Sequence, residues 1–204
     1  MADAFTAGPR DLRRSPLAAL AAELEAASAP AIRLREVPFA TQIGVRAAPG
    51  SAAHRALAEA TGVGLPERVG DVAGAADGAA ALWLAPDEFL VVAEPDRHAL
   101  LAALRKALAD DRGQVVDLSA NCTIVEISGS CARDVLDKGV PADLHPRSFP
   151  VGAAITTTVS AVPVLLWRTA GDVFRLLPRA SFAEYVARWL MDAAREHRAL
   201  DAAS

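Results

Sequence analysis

The sequence predicts an α+β fold in which two βαββα units of ferredoxin-like kind pack against each other. Helical and extended patterns alternate twice along the 204 residues, each time in the order strand, helix, strand, strand, helix. Sliding the chain by about 80–85 residues brings the halves into partial coincidence. Leu82-Trp83 then falls near Leu166-Trp167, Asp87-Glu88-Phe89 near Asp172-Val173-Phe174, and Leu100, Leu101 and Leu104 on Tyr185, Val186 and Trp189. Each unit has one sheet face to bury, and packing the two together buries both. The expected division is a flexible tail over 1–14, a first α+β unit over 15–110 and a second over 111–204, together one compact body.

Local signals set the elements in order. Gly8, Pro9 and alternating charges leave the tail little to bury. Ser15 before Pro16 reads as an N-cap with proline at the first helical position. Leu17, Leu20 and Leu24 then give a helical stripe that should end near Ala29-Pro30. Alternation over 32–37 and 41–46 suits strands. Pro49-Gly50-Ser51 opens a helix over about 52–60, and the glycine-rich stretch 61–79 reads as the longest loop. Strands over 80–84 and 88–93 form a hairpin across Ala85-Pro86-Asp87, and a helix over 95–108 carries Leu100, Leu101, Leu104 and Leu108. In the second half, 115–118 and 123–127 are extended. Ser128-Gly129-Ser130 leads into a helix that stops at Lys138-Gly139. Strands over 155–159, 162–168 and 172–177 and a helix over 181–195 complete the chain.

Composition excludes several classes. Hydrophobic residues reach 52% and the mean hydropathy is +0.24, but 47 of the residues are alanine. Apolar runs such as 162–167 are about a third of the ~20 residues a membrane helix needs. Glu23 and Glu25 fall where a secretory signal would need its apolar core. Lys and Arg number 21 against 25 Asp and Glu, a net charge of −4, so no basic face for nucleic acid is expected. Cys122 and Cys131 fit neither a CxxC site nor a disulfide framework. A reduced, cytoplasmic globular protein follows, with no membrane and no nucleic-acid partner.

Residues able to carry chemistry are scattered. His54, His98 and His197 fall on polar helix faces, and His145 lies in a loop; no two stand at a metal-ligand spacing. Cys122 and Cys131 lack a patterned histidine and suit buried packing. Asp87-Glu88 and Asp110-Asp111 occupy wet turns. Gly62, Gly64, Gly70, Gly74 and Gly78 match neither the dinucleotide fingerprint nor the P-loop. The N–H groups of Ser128-Gly129-Ser130 could receive an anion, though helix entry alone explains that motif. Aromatics such as Trp167, Phe174 and Tyr185 interleave with Arg147, Arg168, Arg175, Arg179 and Arg188. That pattern suits a protein interface or an arginine-rimmed core equally. From the residues alone no catalytic, cofactor-binding or metal constellation emerges.

A series of motifs adds to this. It comprises Leu82-Trp83-Leu84-Ala85-Pro86-Asp87-Glu88-Phe89, Val116-Asp117-Leu118-Ser119, and Ile127-Ser128-Gly129-Ser130-Cys131-Ala132-Arg133-Asp134-Val135-Leu136. Asp143-Leu144-His145-Pro146-Arg147-Ser148-Phe149, Val164-Leu165-Leu166-Trp167-Arg168 and Asp172-Val173-Phe174-Arg175 follow. Together, and most specifically in the D-L-H-P-R-x-F run, they resemble the gamma subunits of bacterial heterotetrameric sarcosine oxidases, over most of the chain from residue 14. Those subunits are similar in turn to the aminomethyltransferase (T-protein) of the glycine cleavage system and its folate-binding relatives.

The resemblance implies an aminomethyltransferase-like fold and a non-catalytic structural role. The implied complex is an oxidoreductase acting on the CH–NH group of a secondary amine with oxygen as acceptor. It demethylates sarcosine to glycine and yields hydrogen peroxide and 5,10-methylenetetrahydrofolate. FAD, FMN, NAD and tetrahydrofolate are implied on the partner subunits and none on this chain. The alpha subunit is the implied chief contact, with beta and delta as further partners. Aminomethyltransferases carry a catalytic aspartate where this chain reads Ser160-Ala161-Val162-Pro163-Val164, without a carboxylate. Two other readings compete. One is a free-standing folate- or one-carbon-binding module with an aromatic pocket near Trp83 and Trp167. The other is a methyl-transfer enzyme using Asp87, Glu88 or His145.

Overall fold

Strands whose two faces are both apolar require cover on both sides, and the chain provides it in four layers. The computed structural model describes residues 12–197. Its strands are β1 (Arg33–Val37), β2 (Thr41–Arg46), β3 (Val72–Gly74), β4 (Ala80–Ala85), β5 (Glu88–Ala93), β6 (Gln114–Asp117), β7 (Ile124–Ser128), β8 (Ala154–Val159), β9 (Val162–Ala170) and β10 (Val173–Pro178). The helices are α1 (Ala21–Ala26), α2 (Ala52–Thr61), α3 (His98–Leu108), α4 (Ala132–Asp137) and α5 (Ala183–Ala193). Two antiparallel sheets run β3-β4-β5-β2-β6 and β1-β7-β10-β9-β8. Helices α2 and α3 cover the first sheet through Leu57, Leu100 and Leu104. Helices α1, α4 and α5 cover the second through Leu24, Val135, Leu136, Val186 and Leu190. Leu82, Leu90 and Val92 meet Ile124, Leu165, Trp167 and Leu177 between the sheets. At roughly 1.5–3 kcal/mol for each large apolar side chain buried, these three clusters are the main source of stability. No helix among the described residues is long and apolar enough to cross a membrane.

Both sheets have the ferredoxin-like order, so the repeat holds. The pairing nonetheless departs from the expected cut at 110/111 in two strands. Strand β1, assigned to the first unit by sequence, pairs with β7 in the second sheet, Leu34 opposite Ile127. Strand β6, assigned to the second, closes the first sheet against β2. The reason is general: a βαββα unit leaves one edge of its first strand unpaired, and any neighbouring extended segment can fill it. The first unit uses the strand that follows it, and the second uses one made long before.

Other expectations shift locally. Ser15 does not cap a helix; its hydroxyl donates to Glu36 Oε2 at 2.5 Å, and a 3₁₀ turn over Ala18–Leu20 precedes the short α1. The loop 61–79 contains β3, which pairs with β4. Helix α3 begins at His98 rather than near Pro95, because Asp96 takes φ 61° and the Arg97 N–H donates to Thr41 Oγ1. The repeat register is one residue out at the tryptophans. Trp83 packs on the helix side of its sheet and Trp167 between the sheets, and a slip of one residue reverses faces in a strand. Of the expected tail, 1–11 lies outside the described residues.

Candidate functional site

Several of the polar residues singled out above gather in three places rather than one. The first is a cleft of about 470 Å³ between residues 13–16, the start of α3 and the end of β6. Phe39, at φ 59° in the turn from β1 to β2, exposes its ring there. The Arg13 guanidinium lies 4.5 Å from that ring and pairs with Asp96 at 2.8 Å; His98 Nε2 is 3.7 Å from the same carboxylate. Asp117 is held below the usual carboxylate range, first by the Ser119 hydroxyl at 2.6 Å and then by the Ser119 N–H at 3.0 Å. Cys122 also lines the cleft. Burial pushes its thiol up, against the opposing charge of Arg179, which disfavours the nucleophilic thiolate. The cleft thus combines internally paired charges with an aromatic face and lacks an activated nucleophile.

The second place is the loop from Asp143 to Phe149. The Asp143 carboxylate accepts from the Ser148 hydroxyl at 2.6 Å and from the His145 N–H at 2.9 Å, and both hold it below its usual range. The His145 carbonyl accepts from the Ser148 and Phe149 N–H groups, while its Nδ1 accepts from the Arg147 N–H at 3.3 Å. Leu144 and Phe149 are buried anchors, and His145, Pro146 and Arg147 are displayed between them. His145 is therefore a structural element of a turn.

The third is the start of α4. The Gly129 N–H donates to the Asp172 carbonyl and the Cys131 N–H to the Ala31 carbonyl. Two amides at this helix entry are thus engaged within the fold, in keeping with a motif that helix entry alone explains. Among the described residues no group of three or more His, Cys, Asp and Glu side chains could hold a metal ion.

Residues 44–196 match the model of the sarcosine oxidase, gamma subunit family. The sarcosine oxidase subunit gamma of Corynebacterium sp. (strain U-96) is 55% identical over 195 residues, 94% of this chain and 95% of that protein. The chain belongs to the sarcosine oxidase gamma subunit family. A solved structure, the heterotetrameric sarcosine oxidase from Corynebacterium sp. U-96 in complex with pyrrole 2-carboxylate, includes a chain similar at TM-score 0.88 and 56% identity. That match covers 91% of this chain and 96% of that one. The glycine cleavage system aminomethyltransferase T from Bartonella henselae shares the fold at TM-score 0.60 and 19% identity, over 86% of this chain and 49% of its own.

Within this gamma-family chain the remaining candidates separate. Asp87 stays in its turn, and Glu88 opens β5, where it pairs with Arg46 of β2 at 2.5 Å. His54 packs edge-on against Phe89 and His197 lies 3.4 Å from Glu196. Asp111 donates its N–H to the Leu108 carbonyl where α3 ends. Trp83 and Trp167 belong to different clusters, so the aromatic pocket required by the folate-module reading is not formed by them. Ser160, at the start of the stretch 160–164 that holds no carboxylate, sits at φ 53° in the β8–β9 turn and accepts from the Tyr185 hydroxyl at 3.2 Å. The arginines divide too. Arg168 is buried and donates to the Phe149 and Gly171 carbonyls, whereas Arg147 and Arg179 are exposed.

Sequence reasoning missed two polar knots. Glu36 accepts from Ser15, from the Leu17 N–H and from Thr123, tying the N-terminal turn to β1 and to the start of β7. Glu126 lies between the sheets and binds Arg35 at 2.6 Å and Arg175 at 3.0 Å; Arg175 also donates to the Ala76 carbonyl. A signal for the second was present, since a single carboxylate interrupts the apolar run Ile124-Val125-Glu126-Ile127.

Proposed function

We propose that this chain is the non-catalytic structural subunit of a heterotetrameric sarcosine oxidase. The observation that carries the reading is 55% identity along nearly the whole length of a sarcosine oxidase gamma subunit. The complex converts sarcosine, oxygen and tetrahydrofolate to glycine, hydrogen peroxide and 5,10-methylenetetrahydrofolate in the cytoplasm. FAD, FMN, NAD and the folate site belong to the partner subunits, with alpha the chief contact of this chain and beta and delta completing the assembly. A purely structural role is supported by the Ser160 turn, which has no carboxylate, and by the raised Cys122 thiol. A permanent interface of about 2,000 Å² or more is expected for such a subunit.

The test is affinity purification of the tagged chain from its native cells, followed by native mass spectrometry and an absorbance spectrum. A yellow assembly with three other subunits that forms peroxide from sarcosine is the expected result. A colourless chain without partners would refute the proposal.

A further inference from the structure

Among the described residues the two sheets present four edges, and these are not equally protected. Strand β3 is three residues long, and β6 is four residues and carries Asp117. Strand β1 carries Arg33, Arg35 and Glu36, and the Leu34 N–H and carbonyl both engage the Ser28 hydroxyl, at 3.0 and 3.4 Å. These are ordinary defences of an exposed edge: shortness, charge and cover. Strand β8 is neither short nor charged, and its cover is confined to one end. Its six residues read Ala-Ile-Thr-Thr-Thr-Val, with no charge and no proline.

The main chain of β8 is oriented for a further strand. The Arg168 N–H donates to the Ala153 carbonyl, which fixes the alternation along the β8–β9 pair. Ile155 and Thr157 therefore turn their amides toward β9, and Thr156 and Thr158 turn theirs outward. The Ala154 N–H already points outward and donates to the Gly70 carbonyl at 2.9 Å, so this side accepts a main-chain partner within the chain itself. Val69 and Val151, 73% and 55% exposed, flank that bond. An open ladder of donors and acceptors with apolar side chains at one end fits one chemistry, an extended polypeptide.

We propose that an extended segment of another subunit of the sarcosine oxidase assembly adds to the second sheet along β8, pairing with Thr156 and Thr158 and covering Val69 and Val151. This rests on the subunit reading above. A second copy of this chain fits less well. In a two-fold β8–β8 pair centred on Thr157, Ala154 would face Ser160 of the copy, which already lies in its turn at φ 53°. Both valines would then remain uncovered.

Single-residue hydrogen exchange in the intact complex tests the assignment, with Ile155 and Thr157 as internal standards bonded to β9. The expected result is that Thr156 and Thr158 exchange about 100-fold or more slowly relative to an open amide, alongside their neighbours. Exchange of Thr156 and Thr158 at open rates beside protected Ile155 and Thr157 would overturn it. A Thr156→Pro variant, coexpressed with the other subunits, removes an outward N–H and no bond to β9. Its recovery in the complex should fall at least tenfold per soluble chain, and unchanged recovery counts against the proposal. A homodimer joined through β8 also overturns it. If no complex forms at all, the subunit reading fails with it; if the complex forms with open Thr156 and Thr158, only the edge assignment fails.

Discussion

The two sheets share one topology and differ in the origin of the strand that closes them. In the first, β6 follows α3 directly and pairs with β2 after a short turn. In the second, β1 comes from the front of the chain and is fastened by residues far from it in sequence as well as near. Glu36 binds the N-terminal turn, Ser28 covers the outer edge, and the Cys131 N–H reaches back to the Ala31 carbonyl. The strand supplied by its immediate neighbour is fastened locally: the Ser119 hydroxyl donates to Asp117 of β6 at 2.6 Å and accepts from the Gln42 N–H of β2 at 3.1 Å. One supplied from a distance must offset the entropy of closing a long loop, and the polar contacts around β1 gather where that cost falls.

Removing residues up to 38 should break the comparison outright. It takes Leu17, Leu20, Leu24, Ile32 and Leu34 from the second core, a loss of roughly 7–15 kcal/mol and comparable with the whole stability of a domain. The expected outcome is loss of the cooperative melt of the second sheet, read by Trp167 and Trp189 fluorescence. Next in size is Glu126→Ala, which leaves Arg175 largely buried beside an absent carboxylate. About 3–5 kcal/mol should be lost in denaturant unfolding, the usual cost of removing one partner of a buried pair.

Two glycines sharpen the contrast. Gly129 and Gly50 stand before the first helix of their units, at φ 113° and 73°. A methyl on Gly129 would enter the Ala31 carbonyl oxygen, whereas one on Gly50 meets nothing within 4 Å. Gly129→Ala should cost roughly 2–4 kcal/mol from strain and overpacking together, and Gly50→Ala only about 1–2 from its left-handed backbone. Equal melting temperatures for the two variants would contradict the account.

The smallest effect is one of pH. The loop after α2 is organised by the Thr61 hydroxyl, which accepts from the Gly64 N–H at 2.9 Å, and the loop after α4 by the Asp143 carboxylate. Asp143 is depressed in the fold, so its contribution is complete above the ordinary aspartate value of about 3.9 and is lost as pH falls through the lower folded value. Acid titration followed by NMR should shift the Ser148 and Phe149 amides and leave Gly64 unmoved.

Periodicity revealed most of the elements, though not the three-residue β3, because helix stripes such as Leu100, Leu101 and Leu104 and the 80–93 hairpin are local signals. It could not assign β1 and β6 to their sheets. An alternating strand shows which face is apolar and is silent about which edge it will join. The same limit explains the tryptophans, whose apparent alignment concealed opposite faces. Of the polar features, the Asp143 loop was visible as a motif and its internal hydrogen bonds were not. Glu36 joins residues more than eighty positions apart, and no local pattern encodes that distance.

The position of β1 also bears on how the polypeptide is made. Translation delivers Arg33–Val37 first, while its partner strand begins only at Ile124. At ~5–20 residues per second the nascent strand waits on the order of 5–20 s outside the ribosome with Ile32 and Leu34 uncovered. Meanwhile the first unit can complete itself from contiguous sequence. The first of the described strands to emerge is thus among the last to find its place, and chaperone capture of the growing chain is expected over that interval.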